Sequence, residues 1–159
     1  MVEDVVATAG VVIRSARPEE ARAIADLWLE SRRAAVPAIP PVAYSDDEVR
    51  EHVAGEFVRG RPVWVAESAG RLVAMMILDA GWVEQLYVRP GWTSQGIGSR
   101  LLGQAMADQR SLQLWAFVTN TGARRFYERH GFVAVEETDG SANVERAPDV
   151  RYEWRAASG

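Results

Sequence analysis

Hydrophobic residues recur at helical spacing in two segments of the first third of the chain, 17–33 and 45–57. The first begins with Pro18 and two acids, which suit the first turn of a helix because the helix dipole is positive there. The second begins with the capping-box pattern SDDE at 45–48. Three prolines lie between them and exclude a continuous helix, so the pattern predicts two helices joined by a loop that runs to residue 44.

The segments that follow change to the composition of strands, with branched and aromatic residues bounded by glycine or proline. Their connections at 68–70 and 79–81 are short and contain glycine, which predicts an antiparallel meander. An earlier strand is predicted at 11–15. The three meander strands are predicted at 62–67, 71–78 and 82–88.

The second half of the chain alternates strands with helices. A glycine turn at 96–99 opens a helix over 96–109, and a strand at 112–118 follows it, which makes a βαβ unit with parallel pairing. The remaining elements are predicted as a helix at 121–130 and strands at 132–137 and 150–154, with a polar loop at 138–148. The predicted fold is an α/β (α+β) domain over 11–155, after a loose leader at 1–10. Its sheet is mixed, mostly antiparallel and six- to seven-stranded, with helices on both faces.

Composition and charge exclude several classes of function. The net charge of −4 argues against binding to nucleic acid or to an anionic membrane surface, and it favours a small cationic ligand. The chain has no cysteine, so disulfides, thiolate metal ligands and a cysteine nucleophile are all excluded. No metal site is expected. The N-terminus lacks the pattern of a signal peptide and no run of 18 apolar residues occurs, so we expect a cytoplasmic protein.

The turn Gly96-Ile97-Gly98-Ser99 lies between a strand and a helix N-terminus, which is where unpaired backbone N–H groups and the helix dipole attract an anion. Glycine lets the backbone approach such a ligand closely. No GK[ST] follows and a third glycine is missing, so the turn fits neither the P-loop nor a dinucleotide fingerprint. Taken alone, the turn is equally consistent with a tight connection that binds nothing.

A second motif, NTGARRFYERHGF at 120–132, contains a cap residue, a short helix, a glycine stop and a new strand. With LYVRPGWTSQGIGSRLL at 86–102, the pattern N-x-x-A-x-x-F-Y-x-x-x-G-F closely resembles the Gcn5-related N-acetyltransferase (GNAT) superfamily. The resemblance extends over 11–155 and is most specific between 83 and 132. It implies acetyl-CoA as the donor substrate and two central strands that splay apart to admit its pantetheine arm.

The resemblance also assigns a set of donor-binding residues. Backbone groups of Leu86 and Val88 are expected to pair with pantetheine, with Val88 placed to bond the thioester carbonyl. Asn120 is expected to cap its helix, to bond the pantetheine arm, or to do both. Two positions depart from the family pattern, since Thr93 replaces the usual Arg or Gln and Ser94 replaces a common Gly. The loop expected to hold the pyrophosphate consists of Thr93, Ser94, Gln95, Gly96, Ile97, Gly98 and Ser99.

Two residues are candidates for the proton transfers. Tyr127 matches the family position of a tyrosine near the departing sulfur, where a phenol can hydrogen-bond to the thiolate or donate its proton. The alternative is a tyrosine that only packs beside Phe126. Glu84 is the candidate general base for the amine, and period-two alternation places it on one face with Trp82, Leu86 and Val88. The alternative is a solvated or arginine-paired glutamate. His52 and His130 are weaker candidates and are expected on helix surfaces.

The acceptor pocket is expected between the first two helices and the loop that joins them, as in relatives. Asp46, Asp47 or Glu84 could attract a cationic amine there. Each aromatic candidate has core packing as its alternative. The aromatic candidates for the pocket walls are Trp28, Tyr44, Trp64, Trp82 and Trp115.

These observations predict an N-acetyltransferase that transfers acetyl from acetyl-CoA directly to a primary amine of a small acceptor. The alternative is a non-catalytic acyl-CoA-binding sensor domain with the same fold. No nucleic-acid or membrane partner is expected, and a homodimer stays open. The acceptor and the acyl-chain preference do not follow from the sequence.

Overall fold

The computed structural model describes residues 10–157, which form seven strands and four helices. The 3-10 turn Pro18–Glu20 leads into the first helix. The predicted leader at 1–10 lies, apart from Gly10, outside the described residues. The helices are α1 (Ala21–Ala35), α2 (Asp46–Val58), α3 (Ile97–Asp108) and α4 (Thr121–Arg129). The strands are β1 (Val11–Ser15), β2 (Val63–Ser68), β3 (Arg71–Asp79), β4 (Trp82–Val88), β5 (Ser111–Phe117), β6 (Val133–Thr138) and β7 (Asp149–Arg155).

The predicted elements are all present, and local signals explain their positions. Ser45 caps α2 through a reciprocal box, because its side chain accepts from the Glu48 N–H while the Glu48 carboxylate accepts from the Ser45 N–H. Gly70 and Gly81 occupy the left-handed region in the two meander turns, where a side chain would be strained. The sheet is mixed and mostly antiparallel with helices on both faces, as predicted.

The strand order is β1-β2-β3-β4-β5-β7-β6, and every pair is antiparallel except β4 with β5. That parallel pair has a single register match, Trp82 with Gln113. Beyond it the strands diverge, which confirms the predicted splay in the middle of the sheet. The backbone edge of β4 after Trp82 is therefore not paired with β5.

Two apolar layers cover the sheet, and β3 contributes to both because it is buried continuously from Leu72 to Leu78. Ile24 and Leu27 of α1 and Val53 of α2 pack on one face. The helix α3 and the aromatic residues of α4 pack on the other face. No helix within residues 10–157 is long and apolar enough to cross a membrane.

A β-bulge in β4 changes the predicted position of Glu84. Ile77 of β3 pairs with Gln85, whereas the next residue of β3, Leu78, pairs with Val83. Glu84 is thus the extra residue that the partner strand does not match. Alternation breaks at this point, so the period-two argument that placed Trp82, Glu84, Leu86 and Val88 on one face does not hold across the bulge.

A buried ionic cluster joins the C-terminal end of α2 to the sheet. Glu56 is 1% exposed, and both Arg59 and Arg61 donate hydrogen bonds to its carboxylate. Arg61 also pairs with Asp79 at the end of β3, at 3.2 Å. Burial alone raises the pKa of Glu56, but the hydrogen bonds from the two arginines outweigh it and hold the pKa below its ordinary value.

Replacing this carboxylate should destabilise the domain. Glu56→Gln removes the charge that two arginines contact, so we expect a loss of about 2 kcal/mol in the free energy of unfolding at neutral pH. Because the folded-state pKa is depressed, the stabilisation is present above the ordinary pKa and is lost as the pH falls through the folded value. Urea titrations at several pH values measure both effects. Glu51→Gln, on the exposed surface of the same helix, is the control, and an equal loss in both variants would contradict the role of Glu56.

Candidate active site

The connection between β4 and α3 is a tight loop with three residues in the left-handed region. Their φ angles are 89° at Gly91, 62° at Ser94 and 80° at Gly96. The conformation at Ser94 explains why glycine is common at this position, since a residue without Cβ adopts it at no steric cost. Gly96 is the N-cap of α3 and offers no side chain to the first N–H groups of the helix. Those groups and the helix dipole are therefore available to an anion.

Gly98 lies against Phe126 and Val88. A Cβ at this position would lie 3.4 Å from the Phe126 ring and 3.6 Å from the Val88 side chain, which is ordinary van der Waals contact. The surroundings of Gly96 are open instead, since a Cβ there would meet nothing within 4 Å. It is therefore the positive φ of Gly96, rather than a lack of space, that favours glycine in this turn.

The free edge of β4 faces the gap between the splayed strands. Arg89 donates its N–H to the Val73 carbonyl of β3 at 2.8 Å. Because backbone groups of successive strand residues point to opposite edges, the N–H and C=O of Val88 point away from β3, and those of Leu86 do the same. The Ser31 hydroxyl of α1 donates to the Val88 carbonyl at 3.3 Å. The backbone of Leu86 and Val88 therefore has the orientation that a pseudo-strand would need.

A cavity of about 910 Å³ joins this edge to the glycine loop and to α4. It brings together most of the predicted donor-binding residues, although Gln95 does not line it. No lining residue is acidic, and the lining includes the cation Arg129. The predicted residues that line it are Leu86, Val88, Thr93, Ser94, Gly96, Ile97, Gly98, Ser99, Asn120 and Tyr127.

Tyr127 lies in the wall of this cavity and is 9% exposed. Its ring makes edge contacts with Phe126 at 5.1 Å and with Phe132 at 5.5 Å between centroids. Burial raises the pKa of the Tyr127 phenol well above its ordinary value, and the nearby Tyr87 adds to the rise. The hydroxyl is therefore protonated at neutral pH and can donate a hydrogen bond.

Asn120 occupies the N-cap of α4, where its side-chain oxygen accepts from the Ala123 N–H at 3.3 Å. The predicted capping role is thus present in the structure. Asn120 also lines the cavity, so the position fits its second predicted role. His130 follows the last residue of α4, and its Nδ1 lies 2.8 Å from the Phe126 carbonyl.

Glu84 lies outside this cavity, close to the acidic and basic groups at the end of α2. The residue is exposed, yet partial burial raises the pKa of its carboxyl, and the negative charge of Asp79 adds to the rise. Arg61 and His52 oppose it. A glutamate with a raised pKa is better matched to proton transfer near neutral pH than an ordinary one.

The aromatic candidates for the acceptor pocket are dispersed. Trp28 is buried beneath Tyr87, with stacked rings at 6.0 Å, and contacts the exposed His52 edge-on. Tyr44 is exposed in the loop after α1, and Trp82 begins β4 without lining the cavity. Trp64 packs against the core on the α3 face.

A second cavity of about 410 Å³ lies at the C-terminal end of β5, where Trp115 forms part of its wall. Phe117 of β5 and Glu145 of the loop before β7 also line it. Of the aromatic candidates, Trp115 is the one that lines either of these two cavities. Its opposite strand partner is Arg151.

Three residues near the cavities were not predicted. Ser31 and Tyr87 line the larger cavity, and the buried Arg32 follows Ser31 on α1. Tyr87 lies between Leu86 and Val88 in β4, so its position in the strand could have predicted that it lies near the donor site. Arg32 carried no such signal, because an arginine in the last turns of a helix is usually explained by the helix dipole.

Residues 10–157 contain no group of three or more His, Asp or Glu side chains arranged to hold a metal ion. The lining of the larger cavity combines backbone groups, aromatic rings and the cation Arg129.

Known proteins share this sequence pattern and this fold. A sequence model of the acetyltransferase (GNAT) domain matches residues 59–134. The peptidyl-lysine N-acetyltransferase YiaC of Escherichia coli is 29% identical over 126 residues, which cover 79% of this chain and 85% of that protein. An amino-acid acetyltransferase of Mycobacterium tuberculosis is 34% identical over 89 residues, and the match spans 51% of each protein.

Two solved structures have the same architecture. The PaiA N-acetyltransferase of Thermoplasma acidophilum, in complex with coenzyme A, has a TM-score of 0.73 at 22% identity. The apo form of YjaB from Escherichia coli has a TM-score of 0.72 at 22% identity, and each match covers 92% of this chain and 99% of the other. The family match thus identifies residues 59–134 as an acetyltransferase (GNAT) domain sequence, and the described chain has the fold of these N-acetyltransferase structures.

Proposed function

We propose that this protein transfers an acetyl group from acetyl-CoA directly to a primary amine of a small acceptor. The observation that carries the proposal is the continuous cavity that joins the free edge of β4, the N-terminus of α3 and Tyr127. The named relatives act on amines of peptidyl-lysine or of an amino acid, which supports the same class of acceptor group.

The lining of the larger cavity fits coenzyme A. The glycine loop offers N–H groups to the pyrophosphate, and no carboxylate in the lining opposes the negative charge. Leu86 and Val88 present backbone groups with which the pantetheine amides can pair, as a neighbouring strand would. Thr93 and Ser94 keep this function in principle, because backbone amides rather than side chains make the main contacts.

The transfer needs a proton removed from the amine and a group that stabilises the leaving sulfur. The amine nitrogen must be unprotonated before it attacks the thioester carbonyl, and we assign this proton to Glu84, directly or through water. The C–S bond then breaks as the amide forms, and the Tyr127 hydroxyl stabilises the departing thiolate. Without cysteine, the chain has no route through a cysteinyl intermediate.

The anion site can be tested at two glycines. Gly96→Asp and Gly98→Asp place a negative charge beside the bound pyrophosphate, so we expect the acetyl-CoA Kd to rise about 100-fold or more. Isothermal titration calorimetry measures it. Gly103→Asp, on an exposed part of the same helix with nothing near its Cβ, is the matched control. Unchanged affinity in folded Gly96 and Gly98 variants would contradict the anion site.

The role of Tyr127 can be tested without changing its packing. Tyr127→Phe keeps the ring between Phe126 and Phe132 and removes the hydroxyl, so acetyl-CoA affinity and Tm should change little. We expect kcat to fall roughly ten- to a thousand-fold, because the hydroxyl acts when charge develops on sulfur. Stopped-flow or steady-state thiol release gives kcat.

A buried tyrosine outside the cavity provides the control for Tyr127. The Tyr152 hydroxyl donates to Glu128 and accepts from Arg124, so Tyr152→Phe should lower Tm and leave kcat near that of the parent. A Tyr127→Phe variant with the parent kcat and a lowered Tm would identify Tyr127 as a core residue instead.

Glu84 can be tested through the pH dependence of the rate. Glu84→Gln should lower kcat/KM roughly ten- to a thousand-fold and remove the acidic limb of the profile. Because Asp79 raises the pKa of Glu84, Asp79→Asn should keep the limb and move it to lower pH. A Glu84→Gln variant with the parent rate and profile would assign proton removal to another group. Binding of acetyl-CoA by the parent without turnover of any amine would instead favour a sensor domain.

A further inference from the structure

Arg32 is a buried cation without a protein counterion. The residue is 7% exposed, and no carboxylate oxygen in residues 10–157 lies within 4.0 Å of its guanidinium. Its Nη2 donates to the Pro40 carbonyl at 3.1 Å, its Nε has no hydrogen-bond partner, and the guanidinium lies 5.8 Å from the centre of the Phe117 ring. Leaving a buried charge without an opposite charge is costly.

Two other shielded arginines in the chain have counterions. Arg14, with a side chain 20% exposed, contacts Glu20 at 2.7 Å and Glu67 at 2.8 Å. Arg89, with a side chain 14% exposed, pairs with Glu30. Arg32 is more buried than either, so its lack of an acidic partner is not the general arrangement of arginine in this fold.

Arg32 lines neither cavity itself, but it is adjacent to residues that line each of them. Ser31, the residue before it, lines the larger cavity. Its hydroxyl donates a hydrogen bond to the Val88 carbonyl of β4, the strand proposed to pair with acetyl-CoA. Tyr87 also lines that cavity. Burial raises the pKa of its hydroxyl, and the nearby positive charge of Arg32 partly offsets this rise. Phe117, beneath the guanidinium, lines the second cavity. The guanidinium therefore lies behind Ser31 and Tyr87 of the larger cavity and over Phe117 of the second, within one residue of the contact with the donor strand.

The chemistry of guanidinium indicates what such a molecule carries. Arginine binds carboxylates with two parallel N–H···O bonds, and its charge is permanent at physiological pH. Local charge decides this contact rather than the net charge of the chain, which alone had favoured a cationic acceptor. Glu145 lies on the wall of the second cavity, and its negative charge contributes to the raised pKa of the Tyr87 hydroxyl.

We propose that Arg32 binds a carboxylate of the acceptor, so that the substrate is a small amine that also carries a carboxylate group, as amino acids do. This inference rests on the proposed function, because selection of the acceptor matters for catalysis only if the protein transfers acetyl groups. It adds the chemical class of the acceptor and the residue that selects it. In this arrangement the amine faces the donor strand at Leu86 and Val88, and the carboxylate faces the guanidinium.

The test compares matched amines. The parent protein is assayed for thiol release from acetyl-CoA with the L-α-amino acids and β-alanine, and with the carboxamide of each. We expect the preferred amino acid to exceed its carboxamide about 100-fold in kcat/KM, which is the scale of losing the partner of a buried charge. Carboxamides that react as well as the acids would overturn the role of Arg32 and leave the transfer function intact.

Arg32→Met removes the charge and keeps the length of the side chain. We expect the preference for the acid over its carboxamide to collapse to within a few-fold, mainly through KM, while the acetyl-CoA Kd stays at the parent value. Arg32→Lys, which retains the charge, should restore part of the preference. Arg33→Met is the matched control, because Arg33 is exposed on the same turn of α1 and pairs with Asp46. A purely structural Arg32 would lower the rates of acids and carboxamides equally.

Direct binding separates this inference from the proposed function. If the parent binds acetyl-CoA but acetylates neither set, titration of the amino acids into the protein with coenzyme A still reports the carboxylate site. Binding that requires the carboxylate and is lost in Arg32→Met would support the inference and refute the transfer. The absence of any such binding would overturn the inference.

Discussion

The fold depends on a place where the sheet is not completed. Backbone N–H and C=O groups need hydrogen-bond partners, and in a regular sheet β5 would supply them to β4. Here the two strands meet at one register pair, Trp82 with Gln113, and then separate. The strand β3, buried on both faces, and the two helical layers hold the sheet together across this defect. The gap leaves a strand edge inside the protein where a ligand with amide groups can complete the pairing.

The elements around the gap serve that edge in different ways. The glycine loop directs the N-terminus of α3 to one end of the cavity, where Gly98 packs beside Phe126 and Val88. Asn120 caps the N-terminus of α4, the helix whose residue Tyr127 forms part of the cavity wall. The helix α1 supplies Ser31 to the edge itself. Each contribution uses a terminus or a turn of a rigid element, which places a few polar groups accurately in an apolar surrounding.

The sequence predicted what short-range chemistry determines. Capping at Ser45 and Asn120 and the glycine turns at 70, 81 and 96 fixed the elements, and the spacing of two motifs brought Tyr127 to the glycine loop. The alternation argument for Glu84 did not include the bulge, because a bulge depends on register with β3, which a local pattern does not contain. Arg32 was missed for a similar reason. Its burial depends on Pro40 and on Phe117, 85 positions further along the chain.

Ser31 and Arg32 are consecutive residues of one helix, and this has a consequence for the thermodynamics of binding. The first contacts the Val88 carbonyl, and the second lies over the Phe117 ring, which lines the second cavity. In the proposed arrangement, a donor paired with the edge of β4 and a carboxylate held by Arg32 bind beside adjacent residues of one helical turn. If one ligand changes the affinity for the other, linkage requires the reverse effect to be equal. Ser31 and Arg32 would then couple the donor and acceptor sites through a single peptide unit.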